Sequence, residues 1–494
     1  MVRAMASTET MNSPPGVDAD VRPGHVLAVV AVVQFLVTLD ISIVNIALPE
    51  IGAGLGFSSI GLTWVINAYT LALGGLLLLG GKAADRYGRK RALMVGLGVF
   101  GLASLAGGLA QAPAHLVVAR AVQGMGAATL APAALSLLSA TFPAGRARVR
   151  AFGVWSAVNA AGGAFGVLVG GLLTEYAGWR WVMFVNVPMV AIALTLALRG
   201  IVSDSPRTRR TSRPDVFGAL LVTAGMTLFV LAVVRTDQHP WDSAVTVTTL
   251  VTAAILLASF VHVERTTSRE PLLRLGLLAN RSVAGANVYN LLLGAAMTSS
   301  IYFLTLYLQR VLGIDPALSG IMFLPFAFGI IAGSILAVKL GYRLDPRTLL
   351  IGGGLLTSAG FVWFGLAIDP NGTFVKDVLG PSMAASVGFG LCLGPVVSTA
   401  TAGVAADESG TASALLNSSR QIGGTLGLAV LGTIAYHVSG PVATAAALNE
   451  GYALGLFLDA ALLAAAILIA LMVPRTTSAK PPTNLIEIER TPMS

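Results

Sequence analysis

A chain of 494 residues that is 55% hydrophobic and only 11% charged, with a mean hydropathy of +0.80, does not divide into soluble domains of ordinary composition. Its formal charge of +8 would suit a nucleic-acid binder, but the basic residues sit in short segments between apolar runs, which excludes that reading. The single cysteine, Cys392, rules out an intrachain disulfide and a thiolate metal cluster. No HExxH, CxxC or GxxxxGK[ST] pattern supports a metal hydrolase or an ATP-driven pump.

Residues 1–25 form a polar tail with Pro14, Pro15 and Pro23 and no compact charge-then-apolar pattern. They are expected to be disordered and cytoplasmic, with the first apolar run serving as an uncleaved insertion signal. Apolar stretches follow at 26–48, 61–81, 92–111, 114–138, 150–173, 181–199, 216–234, 245–263, 283–308, 318–338, 348–368, 379–402, 412–436 and 452–473. Each is near the roughly 20 residues that an α-helix needs to cross a bilayer. Fourteen spans put both termini on one side. Of the 31 Lys and Arg residues, 25 lie in segments on the N-terminal side, while Arg180, Arg235, Arg310 and Lys376 lie opposite. That bias predicts cytoplasmic termini. Basic segments after spans six and eight bracket two spans of low polarity, which suggests a six-helix bundle at 26–199, basic linkers with two extra helices at 200–282, a second six-helix bundle at 283–473 and a cytoplasmic tail at 474–494. The loop at 82–91 resembles that at 339–347, and weak symmetry of this kind marks transporters with a central site.

Asp40 lies in the middle of span one, where a carboxyl costs several kcal/mol unless it is paired, hydrated or protonated. It is therefore either the partner of a buried cation or a group that takes up and releases protons. On the same helix Gln34, Thr38, Ser42 and Asn45 share a face and Asp40 lies well round from it, so one face lines a cavity and the other meets a neighbouring helix. After span two, Gly81 and Gly88 permit a tight turn, and Asp85 can pair with nearby cations or cap the next helix. Arg120 shares a face of span four with Gln123, Gly124 and Ala127, and its own span holds no acid. Its partner must come from another helix or from water. Gly162, Gly166 and Gly170 recur every four residues in span five, with Gly163 and Gly171 beside them, a spacing that lets helices pack closely. Asp459 in the last span reads either as a hydrogen-bonded or snorkelling structural acid or as a second carboxylate in a transport path. His25, His115, His239, His262 and His437 form no metal-site pattern.

Several of these stretches resemble the major facilitator superfamily. Gly81-Lys-Ala-Ala-Asp85-Arg86-Tyr-Gly88-Arg89-Lys90-Arg91 is similar to that family's signature loop. Leu39-Asp40-Ile-Ser-Ile-Val-Asn45-Ile-Ala-Leu-Pro49 resembles the first-span motif of its drug:proton antiporters, and Arg120-Ala-Val-Gln123-Gly124 resembles the fourth-span motif whose arginine is linked to proton coupling. Trp64-Val-Ile-Asn67-Ala-Tyr69 and Trp179-Arg180-Trp181 with Asn186-Val-Pro188 fit the same pattern. The glycines of span five resemble the antiporter motif, with Val167 where that motif usually has proline. Tyr307-Leu-Gln309-Arg310-Val-Leu-Gly313, Leu324-Pro325 and the run from Gly410 to Gly424 through Asn417 and Arg420 resemble the fourteen-span subfamily.

The resemblance implies an all-α, fourteen-span polytopic protein of the bacterial inner membrane, not an enzyme, that exports lipophilic drugs or antibiotics, cationic ones among them, by alternating access. Asp40 and Arg120 would couple protons; Gly81, Asp85, Arg86, Gly88 and Arg89 would form a gating loop; Gly162, Gly166, Gly170 and Gly171 would pack helices. Candidates for the substrate cavity are Gln34, Asn45, Trp64, Tyr69, Gln123, Trp155, Tyr289, Tyr302, Phe326 and Asn417. The energy source would be the proton gradient, with no cofactor, metal or nucleic acid, and the transporter would act as a monomer among membrane lipids. Export of lipids or endogenous amphipathic metabolites is the alternative, and a membrane-embedded enzyme or receptor a remote one.

Overall fold

The computed structural model describes residues 23–58, 60–142, 146–201, 215–237, 239–266, 276–404, 408–440 and 444–474. The expectations for the two tails and for the most basic parts of both linkers lie outside these residues. Among the described residues there is no strand, and fourteen helices are long and apolar enough to cross a membrane. They are α1 (Pro23–Leu55), α2 (Gly61–Tyr87), α3 (Arg89–Gly108), α4 (Pro113–Thr141), α5 (Arg150–Ala177), α6 (Arg180–Gly200), α7 (Val216–Val234), α8 (Ala244–Thr266), α9 (Arg281–Val311), α10 (Pro316–Leu340), α11 (Pro346–Ala367), α12 (Phe374–Ala400), α13 (Thr411–Ser439) and α14 (Ala445–Met472).

Each apolar window maps onto one helix; those at 92–111, 348–368, 379–402 and 452–473 run past its C-terminal end by a few residues, and most helices begin before their windows. Hydrogen bonding inside a helix continues past the apolar stretch until a cap or a glycine stops it. Thr444 accepts from the Ala447 N–H and starts α14 seven residues before the expected 452. Asp459 is therefore at the middle of α14, not near its start. Gly88, with φ 99°, makes the break between α2 and α3 that a side chain would strain.

In the N-terminal half α1 packs on α5, α4 and α6, while α2 and α3 pack on α4. In the C-terminal half α9 packs on α13 and α14, α11 on α12 and α14, and α10 on α12. The extra helix α7 rests on α2 and α13, with the Thr433 hydroxyl donating to the Val233 carbonyl at 3.5 Å. Outside it, α8 packs on α7, and only 11% of its most apolar window is buried. That helix is lined by lipid when the protein is in a membrane.

The two halves meet on the face away from Pro23 and Met472. Gln309, in a widened final turn of α9, donates to the Ile46 carbonyl of α1 at 2.9 Å. Thr70 of α2 and Thr425 of α13 share a hydrogen bond of 2.7 Å. Gly171 of α5 lies directly against the Pro316 carbonyl of α10, and a Cβ on Gly320 would come within 2.7 Å of the Val167 carbonyl. These contacts lie at the middle of the helices or beyond it, so the seam is closed on that face.

Candidate functional site

The N-terminal half buries a polar cluster around Asp40, built from five helices. Asp40 is fully buried in α1, and Arg120 of α4 is 2% exposed. The Arg120 guanidinium donates from Nη1 to Asp40 Oδ2 at 2.7 Å and to Gln123 Oε1 at 2.6 Å, and from Nε to the Val65 carbonyl of α2 at 3.0 Å. Its plane lies over the Tyr69 ring, 4.3 Å from the centroid. Asp40 Oδ1 accepts from Gln123 Nε2 at 2.7 Å and from Asn186 Nδ2 of α6 at 2.8 Å. Gln123 also donates to Ser104 of α3 at 2.9 Å.

Three N–H donors converge on one carboxyl, which is how a protein holds an ionised carboxylate away from water. The Coulomb attraction inside an apolar bundle is large, but so is the desolvation of both ions, and the extra hydrogen bonds decide whether the pair is tolerated. Gln123 is the hinge of the cluster, touching both members of the pair. Four buried polar atoms on these helices have no hydrogen-bond partner: the Tyr69 hydroxyl, Asn186 Oδ1 and, two residues before Tyr69 on α2, both side-chain atoms of Asn67.

The polar face of α1 meets α5. Gln34 and Thr38 both donate to Asn159 Oδ1, at 2.6 and 2.9 Å, and Asn45 donates to the Ile41 carbonyl of its own helix. Glycines make the approach possible: a Cβ on Gly162 would stand 3.1 Å from the Phe35 carbonyl, and on Gly166 or Gly170 within 2.8 Å of the Leu39 or Ile43 carbonyl. Gly171 turns to the other half. With valine at 167, α5 runs unbroken through this stretch.

The other sequence candidates scatter. Tyr69 and Gln123 belong to the Asp40 cluster. Trp64 packs on a small apolar cluster that joins Leu71 of α2, Val230 and Val233 of α7 and Ala429 of α13. Tyr289 is fully buried and donates to the Leu350 carbonyl at 2.8 Å, and Tyr302 is buried edge-on to Phe303. These rings lie in packed cores, not on an open face. Trp155 stacks edge-on with Phe152, Phe326 is buried in α10, and Asn417 is half-buried beside Arg420. In the loop between α2 and α3, Arg86 lies over the Tyr87 ring and Lys90 anchors α3 to the Ile201 carbonyl; Lys82, Asp85, Arg86 and Arg89 are all engaged. Gly81 faces Pro132 of α4 at ordinary contact distance.

Sequence reasoning missed Asn186 and Ser104 as members of the cluster. An uncharged amide or hydroxyl in an apolar span signals little by itself, although Asn186 opens an otherwise apolar stretch.

The model of the Major Facilitator Superfamily matches residues 30–428 and 290–492. The chain belongs to the Major Facilitator Superfamily. It is 41% identical over 465 residues to the puromycin resistance protein of Streptomyces alboniger, covering 92% of each chain. To the cephamycin export protein of Amycolatopsis lactamdurans it is 41% identical over 409 residues, covering 83% of this chain and 84% of the relative. The multidrug resistance protein Stp of Mycobacterium tuberculosis is 34% identical over 400 residues, covering 81% and 73%. These relatives place the transporter in the superfamily's drug-efflux branch, as a multi-pass membrane protein and not an enzyme. Solved structures share the fold. The POT family transporter PepTSo superposes with a TM-score of 0.66 at 14% identity, covering 91% of this chain and 97% of that one. A bacterial homolog of the human lysosomal transporter Spinster, in an inward-facing and unoccupied conformation, gives 0.62 at 18% identity, covering 93% and 98%.

Proposed function

We propose that the transporter exports lipophilic compounds, antibiotics among them, in exchange for protons, with Asp40 carrying the proton and Arg120 holding the emptied carboxylate. The observation that supports this reading is the fully buried Asp40–Arg120 pair with Gln123 and Asn186 on the same carboxyl. A guanidinium cannot shed its charge, so it keeps a partner or water through the whole cycle. Protonating Asp40 removes the anion that Arg120 holds and makes the carboxyl a weaker acceptor for the arginine and the two amide donors. A proton thus acts as a ligand that favours one arrangement of α1, α4 and α6 over another, which is what coupling requires. The distribution of Lys and Arg argues for cytoplasmic termini in the bacterial inner membrane. With that orientation the seam is closed on the outside, and the state described here opens toward the cytoplasm. No cofactor is invoked; the proton gradient supplies the energy, and one chain suffices.

The test is efflux from proteoliposomes under an imposed pH gradient. Asp40→Asn keeps shape and two hydrogen-bonding groups but cannot titrate. It should insert and fold normally and lose gradient-driven efflux of rhodamine 6G by at least about 10²-fold, a loss of roughly 2.7 kcal/mol. Full gradient-driven transport by that variant would remove Asp40 from the mechanism.

A further inference from the structure

The middle of the C-terminal half presents a cation to the space between the halves. Arg420 stands nine residues after Thr411, about 13 Å along α13. Its side chain is exposed. A guanidinium at that depth does not face hydrocarbon without a cost of several kcal/mol, so the exposure opens onto water. Its surroundings say which water. The Arg420 backbone lies against Gly294 of α9, and the next residue, Gln421, meets Gly74 of the opposite half, where a Cβ would come within 3.0 Å. Helices α2, α7, α9, α12 and α14 surround α13. Arg420 therefore borders the inter-half space on the side that is not sealed, about a turn and a half from the level of Tyr69, since Gly74 is five residues further along α2.

The charge there is uncompensated. Arg420 Nη2 donates to Asn417 Oδ1 at 3.2 Å, and among the described residues it has no acidic partner. The other charges in mid-membrane do not offset it: Asp40 is sealed against Arg120, and Asp459 is fully buried with Ser299. Beside Arg420, the Ser419 hydroxyl donates to Asn287 Oδ1 at 2.7 Å, while the guanidinium and the Asn417 side chain lie together.

We infer that Arg420 and Asn417 form an acceptor-binding subsite for the acidic group of an amphiphile, a carboxylate or phosphate on an apolar body. This rests on the export reading above and adds acidic amphiphiles to its substrate class. A fork of N–H donors matches two oxygens of a carboxylate or phosphate, and the apolar walls of the halves hold the rest of the molecule. Either an exported solute or the headgroup of an anionic lipid carries that chemistry.

The experiment uses two dyes on one xanthene body, fluorescein as the anion and rhodamine 6G as the cation, with binding followed by fluorescence anisotropy on the full chain in nanodiscs. Arg420→Gln should weaken fluorescein about tenfold or more and leave rhodamine 6G unchanged or tighter, and Arg420→Lys should restore part of the loss. Nanodiscs of phosphatidylcholine with and without phosphatidylglycerol separate the two sources. If phosphatidylglycerol competes with fluorescein in the unmodified protein but not in Arg420→Gln, the occupant is a lipid headgroup; if it competes in neither, the occupant is a solute. The subsite is overturned if unmodified protein does not bind fluorescein, if Arg420→Gln leaves fluorescein binding intact, or if it weakens both dyes alike. Gradient-driven rhodamine 6G efflux by Arg420→Gln is measured in parallel; its persistence with lost fluorescein binding leaves the proton-coupled reading standing, and its loss in Asp40→Asn alone tests that reading separately.

Discussion

Each half of the transporter buries one carboxyl at the middle of a helix, and the two could hardly be kept more differently. Asp40 accepts three N–H bonds from α4 and α6, one of them from a guanidinium. Asp459 has a single neighbour, the Ser299 hydroxyl of α9 at 2.5 Å, and its Oδ2 has none. Depth and burial are the same; the donors differ. A buried acid becomes a place where charge comes and goes only if something nearby is arranged to receive the charge. The N-terminal half has that arrangement and the C-terminal half does not. The C-terminal half instead leaves a cation, Arg420, facing the space between them.

Removing the receiving charge should give the largest effect. Arg120→Ala leaves Asp40 buried without its counter-ion, and breaking one side of a buried pair costs about 3–5 kcal/mol. We expect a clear fall in the thermal unfolding midpoint in detergent and loss of gradient-driven transport of at least about 10²-fold, with Arg120→Lys recovering part of both. Transport with an unaltered pH profile in Arg120→Ala would make the arginine a packing residue and collapse the contrast between the halves.

A smaller effect is expected at the seam. Gly171 lies against the Pro316 carbonyl, so Gly171→Val forces α5 and α10 apart on the closed face, with overpacking worth about 1–3 kcal/mol. The population should move toward the state open on that side. A cysteine at Ile51, fully buried on α1 near this seam, placed in a Cys392→Ser background, should then react about tenfold faster with maleimide. Unchanged labelling would mean that the glycine serves only local packing.

The loop between α2 and α3 lies at the other end of the helices. Asp85→Asn should slow exchange between states a few-fold and leave dye affinity within about twofold, because the loop is remote from the cluster and an exposed charge contact is worth about 0–1 kcal/mol. Affinity falling in step with rate would argue against a gating role.

How much of this was legible follows from which signals a membrane sequence carries. Helix positions were, because the hydrocarbon demands long apolar runs. That Arg120 needed a partner outside its own helix was also legible, because an unpaired guanidinium is costly at that depth, and the structure supplies Asp40. What could not be read was helix rotation. A helix that is apolar on every side has no periodic stripe to say which face meets a neighbour. Tyr289 and Tyr302, chosen for their place near span centres, point into packed cores for that reason, and Trp64 packs on the small cluster that α2, α7 and α13 share. Neutral members such as Asn186 and Ser104 carry no charge deficit that would have called for a partner.

The smallest expected effect is at Asp459, and it tests the contrast most sharply. The Ser299 hydroxyl has one hydrogen and stands 2.7 Å from the Ala295 carbonyl as well as 2.5 Å from Asp459. If the serine gives its hydrogen to Ala295, the carboxyl is the donor in the shorter bond, as a neutral acid. A neutral acid clasped to a hydroxyl between α9 and α14 is a hydrogen bond, not a store for transferable charge. Asp459→Asn preserves a donor and an acceptor in nearly the same volume, so transport should stay within about twofold and stability within about 1 kcal/mol. Asp459→Leu removes the clasp and should cost about 1–3 kcal/mol of stability, through the lost hydrogen bond and the changed shape, without altering the pH profile of transport. Infrared difference spectra should show a protonated carboxyl band that is lost in Asp459→Asn and does not respond to pH over the transport range. A band that titrates with transport, or an Asp459→Asn variant that binds dye normally but no longer couples, would make the two carboxyls partners in one proton cycle.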